Sequence, residues 1–265
     1  MPVTLPASPA IADRSAVAAY YSEHGFYHAR GLIAPSRLAE LERDFDRIVT
    51  QLEASGANIN ARWKQDTTTA LDGGGGVVIH THQVQKYSAA WGRFLYDEGM
   101  LDVAECLLGP DILLHHSKLF LKPAGRGAAF PPHQDHSYFP TIGHAMLATV
   151  VYLTPADDEN GCLRVWPGTH LLGPLPASAG GDQSFATRFP IEDSLALVAD
   201  PGDMVFFSYL TVHGSRPNRS PRPRKSVLLQ LYSGQDQTIG KVHADSALVL
   251  RGWNHHMDRE RANAG

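Results

Sequence analysis

The chain has 265 residues, 43% of them hydrophobic and 19% charged, which fits a folded protein with a sizeable core and excludes a disordered chain. Its formal net charge of −4 excludes the basic excess of a nucleic-acid-binding surface. Two cysteines, Cys106 and Cys162, are too few for a disulfide framework, and no apolar run reaches the length of a membrane span. The opening MPVTLPASPA has neither a charged start nor a long apolar run, so no signal peptide is expected. The expectation is a cytoplasmic protein with no nucleic-acid or membrane partner.

In chain order, a short helix is expected from about Asp13 to Glu23, stopping at Gly25. Next, SRLAELERDFDRIVTQLEASG places Leu38, Leu41, Phe45, Ile48 and Leu52 at steps of three and four, one face of a helix. Ser36 could cap its start and Gly56 could end it. The four glycines of DGGGGVV (72–78) exclude core helix and packed strand and predict a mobile loop, either a lid or a plain connection. MLDVAECLLG (100–109) reads as a third helix, with Cys106 as a small buried hydrophobe.

From residue 111 short β-branched and apolar runs follow one another, divided by Pro, Gly, Asn and Asp. They are ILLHHSKLFLKP, MLATVVYLTP, GCLRVWPG, LALVADPG, DMVFFSYL and KSVLLQLY. Such spacing predicts an antiparallel sandwich or barrel. The fold expected is mainly β with a helical N-terminal part, a double-stranded β-helix (jelly-roll, cupin-like) barrel. One domain over 1–265 is expected, with helical support over about 1–110, the jelly-roll core over about 111–240, and a polar, partly disordered tail, RGWNHHMDRERANAG.

Two H-x-D triplets occur, His133-Gln134-Asp135 and His243-Ala244-Asp245. Either could supply two ligands of a mononuclear iron(II) site built from two histidines and one carboxylate. The third ligand must arrive from a distant strand. For Asp135 the chain offers His213, just after DMVFFSYL; for Asp245 only His255 and His256 in the polar tail remain. The set His133, Asp135 and His213 is therefore favoured. If open metal positions take 2-oxoglutarate, its distal carboxylate needs a buried cation, and arginine has the bidentate geometry. Arg224 opens the strand KSVLLQLY eleven residues after His213, and Ser215 could add a hydroxyl donor. Arg216, Arg219 and Arg222 read as surface or turn residues.

With these blocks placed, the chain resembles the phytanoyl-CoA dioxygenase family of iron(II)/2-oxoglutarate oxygenases over most of its length. YYSEHGFYHARGLIAPSRLAEL is similar to the family's opening. HQD with YFP after it, DDENGCLRVWPGTH (157–170) and HGSRPNRSPRPRK (213–225) resemble its three signature blocks in order. The resemblance implies that His133, Asp135 and His213 hold iron, that Arg224 and Ser215 anchor 2-oxoglutarate, and that Lys86 in HQVQKY helps to hold it. It implies oxidation of an unactivated C–H bond, hydroxylation foremost with epoxidation, desaturation or ring rearrangement as alternatives, with release of succinate and CO2, O2 as oxidant, and ascorbate as reductant in vitro. Where some relatives carry a tryptophan near the cosubstrate, this chain has Val150. Relatives that halogenate have a small residue in place of the carboxylate ligand, so Asp135 disfavours halogenation.

The remaining candidates have plainer readings. His80, His82, His115 and His116 are expected as satisfied core or surface histidines, with strand alternation turning one of His115 and His116 inward and the other outward. His136, Tyr138 and Phe139 follow the triplet directly and could line a pocket or pack the core; with His82 they are the candidate substrate contacts. Trp166 is expected in the core. The substrate expected is a small molecule of secondary metabolism rather than an acyl-CoA. Two rival readings stay open: a cupin-type metal hydrolase or isomerase, which leaves Arg224 and Ser215 without a purpose, and a non-catalytic binding module.

Overall fold

A computed structural model describes residues 5–57, 59–60, 76–176, 178–179, 182–240 and 247–262. Residues 73–75 of the glycine loop and the second triplet, His243 to Asp245, lie outside the described residues.

The first helix, α1 (Arg14–His24), is closed at both ends by its sequence. The Asp13 carboxylate accepts from the Ala16 N–H at 3.0 Å, and Gly25, at φ 77°, turns left-handed and donates its N–H to the Tyr21 carbonyl at 2.7 Å. Strand β1 (Phe26–Ala29) leads to α2 (Pro35–Ala54). Here the expected cap is corrected. Ser36 lies inside the helix and Pro35 occupies its first turn, where a missing N–H costs nothing. The apolar face falls where the spacing put it, with Leu41, Phe45, Ile48 and Leu52 buried. Strand β2 (Ile79–His82), α3 (Ala89–Phe94) and α4 (Glu98–Leu108) complete the N-terminal part.

The strands that follow are β3 (Ile112–Lys122), β4 (Phe130–His133), β5 (Met146–Tyr152) and β6 (Arg164–Val165). After α5 (Gln183–Arg188) come β7 (Leu195–Ala196), β8 (Met204–Ser208), β9 (His213–Ser215), β10 (Arg224–Ser233) and β11 (Leu248–Arg251), then α6 (Arg259–Ala262). Among the described residues, seven strands form one sheet in the order β1-β8-β5-β10-β3-β11 with β2 added beside β3, and four form a second, β4-β9-β6-β7. All the named pairings are antiparallel, which gives the jelly-roll expected.

Alternation along β10 assigns the two faces of the large sheet. Val227, Leu229 and Leu231 turn outward into the principal core, where they join Leu41 and Phe45 of α2, Trp91 and Phe94 of α3, and Met100 of α4. Arg224, Ser226, Leu228 and Gln230 turn inward, toward a cavity between the sheets. The helices thus brace the sheet from behind while its other face is left for chemistry.

Three expectations are corrected. His115 and His116 are both buried instead of alternating, because the β3–β10 register slips there: His116 pairs with Gln230 but Leu114 with Leu231, so His115 is an extra residue in a bulge. Cys106 is half-buried at the edge of the core. The described part of the tail is tied down: Arg251 reaches Glu98, Asp102 and Glu105 of α4, and the His255 ring meets Asp111 at 2.8 Å. Trp166 is buried with Phe185, Phe189 and Val212, as expected of a core residue.

Candidate metal centre

Strands β4 and β9 pair with His133 directly opposite His213. Asp135 follows β4 in a single 3-10 turn (Asp135–Ser137), which folds its carboxylate back between the two imidazoles. The middle residue of the triplet pins this turn. Gln134 is fully buried and donates to the carbonyls of Gly173 and Leu210, while its own carbonyl accepts from the Leu175 N–H. Residues 78 apart in sequence are thereby brought to one point.

Asp135 Oδ1 lies 3.6 Å from Nε2 of both His133 and His213, and one ligand atom from each residue falls within 4.8 Å of the others. Two bonds of ~2.1 Å, typical of divalent metals, bridge such gaps. His133 Nδ1 sits 2.8 Å from the Pro131 carbonyl and His213 Nδ1 3.0 Å from the Thr211 carbonyl. A carbonyl can only accept, so each Nδ1 carries the proton and each Nε2 presents a lone pair to the centre. Asp135 Oδ2 is buried without a hydrogen-bond partner.

Electrostatics prepare the same group of atoms. Burial works against the Asp135 charge, but the facing His213 and His133 outweigh it and hold the carboxyl down to about 2. Burial, reinforced by His133 and opposed by Asp135, pushes His213 down to about 4. At neutral pH the site therefore offers an ionised carboxylate and an unprotonated His213, the forms a metal ion needs. The donor set of two imidazoles and one carboxylate fits iron(II).

The cavity beside this triad is walled by Phe120, Phe130, Phe139, Val150, Leu163 and Phe207, with polar groups at few points. Arg224 is one of them. It is 5% exposed, donates to the Gly161 carbonyl, leaves Nε without a partner, and meets no carboxylate among the described residues. Gly161 itself sits at φ 74° and a Cβ there would collide with the Arg216 carbonyl, so the close approach requires glycine. Ser215 lines the same end. Its oxygen accepts from the fully buried Lys122 ammonium at 2.7 Å, which leaves the Ser215 O–H to donate into the cavity.

Phe139 lines the cavity, and Tyr138 sits half-buried with its ring 6.0 Å from that of His133. His136 turns away to Tyr209 and His144, and His82 sits on β2 opposite Lys118 of β3, its ring 6.0 Å from His116. Lys86 is not brought to the cavity: it is exposed at the end of a short 3-10 turn (Val84–Lys86). The lysine that lines the cavity is Lys118, and Gln230 and Tyr152 line it too. These three escaped sequence reading, although Gln230 is in phase with Arg224 on KSVLLQLY and Lys118 is in phase with Phe120. Arg216 and Arg222 pair with Asp158 and Asp157, and Arg219 is exposed, as turn residues should be.

An antiparallel double sheet that brings two histidines and a carboxylate to one face of a buried cavity is the arrangement of cupin-like, metal-binding jelly-roll proteins. Within that class the chain belongs to the phytanoyl-CoA dioxygenase family, whose family model matches residues 21–226. That family depends on iron(II) and 2-oxoglutarate. The chain is 29% identical over 222 residues to the peroxisomal phytanoyl-CoA dioxygenase of Bos taurus, a match covering 78% of this chain and 65% of that one. It is 28% identical over 187 residues to the ectoine dioxygenase of Bordetella parapertussis, covering 63% of this chain and 60% of the relative. The chain thus matches less than two thirds of the length of either relative. Among solved structures, the α-ketoglutarate-dependent carbocyclase SnoK of nogalamycin biosynthesis superposes with a TM-score of 0.73 at 18% identity, covering 93% of this chain and 97% of that one. The epimerase SnoN of the same biosynthesis gives 0.69 at 24% identity, covering 85% of each chain.

Proposed function

We propose that the protein is a cytoplasmic oxygenase that hydroxylates an unactivated C–H bond of a small molecule, in secondary metabolism, while converting 2-oxoglutarate and O2 to succinate and CO2. His133, Asp135 and His213 would hold iron(II). Bound iron with 2-oxoglutarate supplies the oxidising power. The protein's own share is binding, orientation and exclusion of water. Arg224 would take the distal carboxylate of 2-oxoglutarate in charge-assisted hydrogen bonds, and Ser215, its hydroxyl aimed by Lys122, would donate a further one. The aromatic wall would keep water from the reacting centre and orient the substrate.

Buried Arg224 is the observation that carries this reading. A guanidinium removed from water and facing no described carboxylate is costly unless a ligand supplies the negative charge. A plain metal hydrolase would have no use for it. The net charge of −4 gives no support for an acyl-CoA substrate, whose phosphates would seek a basic surface. The test is direct: purified protein with iron(II), ascorbate and 2-oxoglutarate should release succinate slowly even without its prime substrate. Iron-loaded protein that binds no 2-oxoglutarate and forms no succinate would move the reading to the hydrolase or binding alternatives. Product mass then separates hydroxylation, which adds one oxygen atom, from desaturation or ring rearrangement.

A further inference from the structure

The cavity contains a second cation that the cosubstrate leaves unused. Lys118 is half-buried on the inward face of β3, its ammonium 4.9 Å from the centre of the Phe139 ring. No ion pair holds it among the described residues. Among the described residues the carboxylate whose field reaches it is Asp135, and a divalent ion on Asp135 would take up that charge. Its other neighbours bring no negative charge: His82 is its register partner on β2, His80 lies close enough to feel its field, and Leu228 stands opposite on β10.

Lys118 is also displaced from the Arg224 end. Leu228, its partner, is four residues beyond Arg224 on the same face of β10, roughly 14 Å along the strand at ~3.4 Å per residue. A five-carbon dicarboxylate anchored on Arg224 and chelating at the triad does not need a third cation there. The next inward residue of β10, Gln230, is diagonal to Lys118 and fully buried, yet neither its amide nitrogen nor its amide oxygen has a hydrogen-bond partner. Such a group normally costs stability unless something fills its place. An unpaired ammonium beside an unsatisfied amide, in a wall otherwise made largely of aromatic and aliphatic side chains, describes a complementary ligand. Its body is apolar, and it carries one negative charge next to a hydrogen-bonding group.

We propose that Lys118 binds an anionic group of the prime substrate, with Gln230 as its hydrogen-bonding neighbour, so that the substrate class is a small carboxylic acid with an apolar body. The inference rests on the oxygenase reading, which assigns the Arg224 end to 2-oxoglutarate. A carboxylate tethered at Lys118 leaves the carbon chain lying past Phe139 toward the triad, where an unactivated C–H would be presented.

The test uses matched probes: phenylacetate, 3-phenylpropionate and 4-phenylbutyrate, each against its primary amide. Binding is read by isothermal titration under anaerobic conditions to iron(II)-loaded protein, with and without saturating 2-oxoglutarate. At least one acid should bind ten times more tightly than its amide. Lys118→Met should shrink that preference to less than about twofold, while Lys118→Arg should retain it. Gln230→Leu should weaken the acid and the amide alike. No acid preference in the wild-type protein, including no binding of any probe, overturns the proposal. So does a preference that survives in Lys118→Met. If Lys118→Met instead raises the Kd for 2-oxoglutarate, the lysine serves the cosubstrate and the proposal falls. Acid preference in a protein that never binds 2-oxoglutarate would keep the anion site and discard the oxygenase reading, so the two failures are told apart.

Discussion

The two sheets are built to different standards. The large sheet has strands of up to 11 residues, whose outward side chains make a continuous core with α2, α3 and α4. The small sheet has strands of two to four residues, and the β4–β9 pairing is irregular between Phe130 and His133. Yet the small sheet carries both candidate histidine ligands, Ser215, and the turn that aims Asp135. Long regular strands maximise apolar burial, and that rigidity is what a site needs behind it. Short strands ending in tight turns give up packing but let side chains converge from several directions. Stability and chemistry are thus divided between the layers, and substitutions should separate them.

The largest expected effect is on the small-sheet side. Asp135→Ala should lower iron-dependent succinate release at least ~100-fold, the upper end of what losing even an outer-shell partner costs, while the apo protein melts at nearly its original temperature. The same change at Asp245 should leave turnover nearly intact. Iron titrations of the two variants check this directly; turnover lost at Asp245 and kept at Asp135 would reverse the choice of triplet.

Arg224 stands at the seam, on the large sheet but facing the site. Arg224→Ala should raise the 2-oxoglutarate requirement more than tenfold, since breaking one side of a buried charge pair costs about 2–5 kcal/mol. Arg222→Ala, two residues earlier and paired with Asp157 at the surface, should change it less than twofold. Equal effects from both would return Arg224 to the status of its neighbours in the basic run.

Leu229 tests the bracing layer. It is fully buried between the large sheet and the helices, so Leu229→Ala should cost about 2–5 kcal/mol of folding stability through lost burial and a cavity. The iron affinity of the molecules that remain folded should be unchanged. Denaturant titration paired with iron binding would expose any failure of the division.

The smallest effect concerns pH. His213 takes a proton near its ordinary 6.5 when unfolded but only near about 4 when folded. Between those values the unfolded chain binds more protons, so metal-free stability falls as pH drops through this window, by at most ~1.4 kcal/mol per pH unit from this residue. Asp135, also held low, adds loss in the same direction below 3.8. His213→Gln should flatten the upper part of the curve relative to wild type. Parallel curves for the two proteins would mean that His213 is not buried as a neutral ring.

Much of this molecule was legible from local pattern. The period of α2, the stop of α1 at Gly25 and the strand run KSVLLQLY are near-neighbour effects, and each appeared where it was read. The triad could be chosen because a third ligand must come from a strand far away in sequence, and His213 followed such a strand. Tertiary structure decided the rest. Strands of three or four residues outside any longer apolar run show no period, so β1, β2, β4, β9 and β11 went unread, whereas the two-residue β6 and β7 lay within such runs. The exception is Pro35, in the first turn of α2, which displaced Ser36 as its start, a local signal that the sequence carried and that went unread. The bulge at His115 depends on pairing with β10, a relation between residues more than 100 apart. The same holds for the cavity's cations. Sequence singled out Arg224 by its distance from His213, but no local motif marked Lys118 on the cavity wall, because which lysine reaches a cavity depends on strand register across two neighbours.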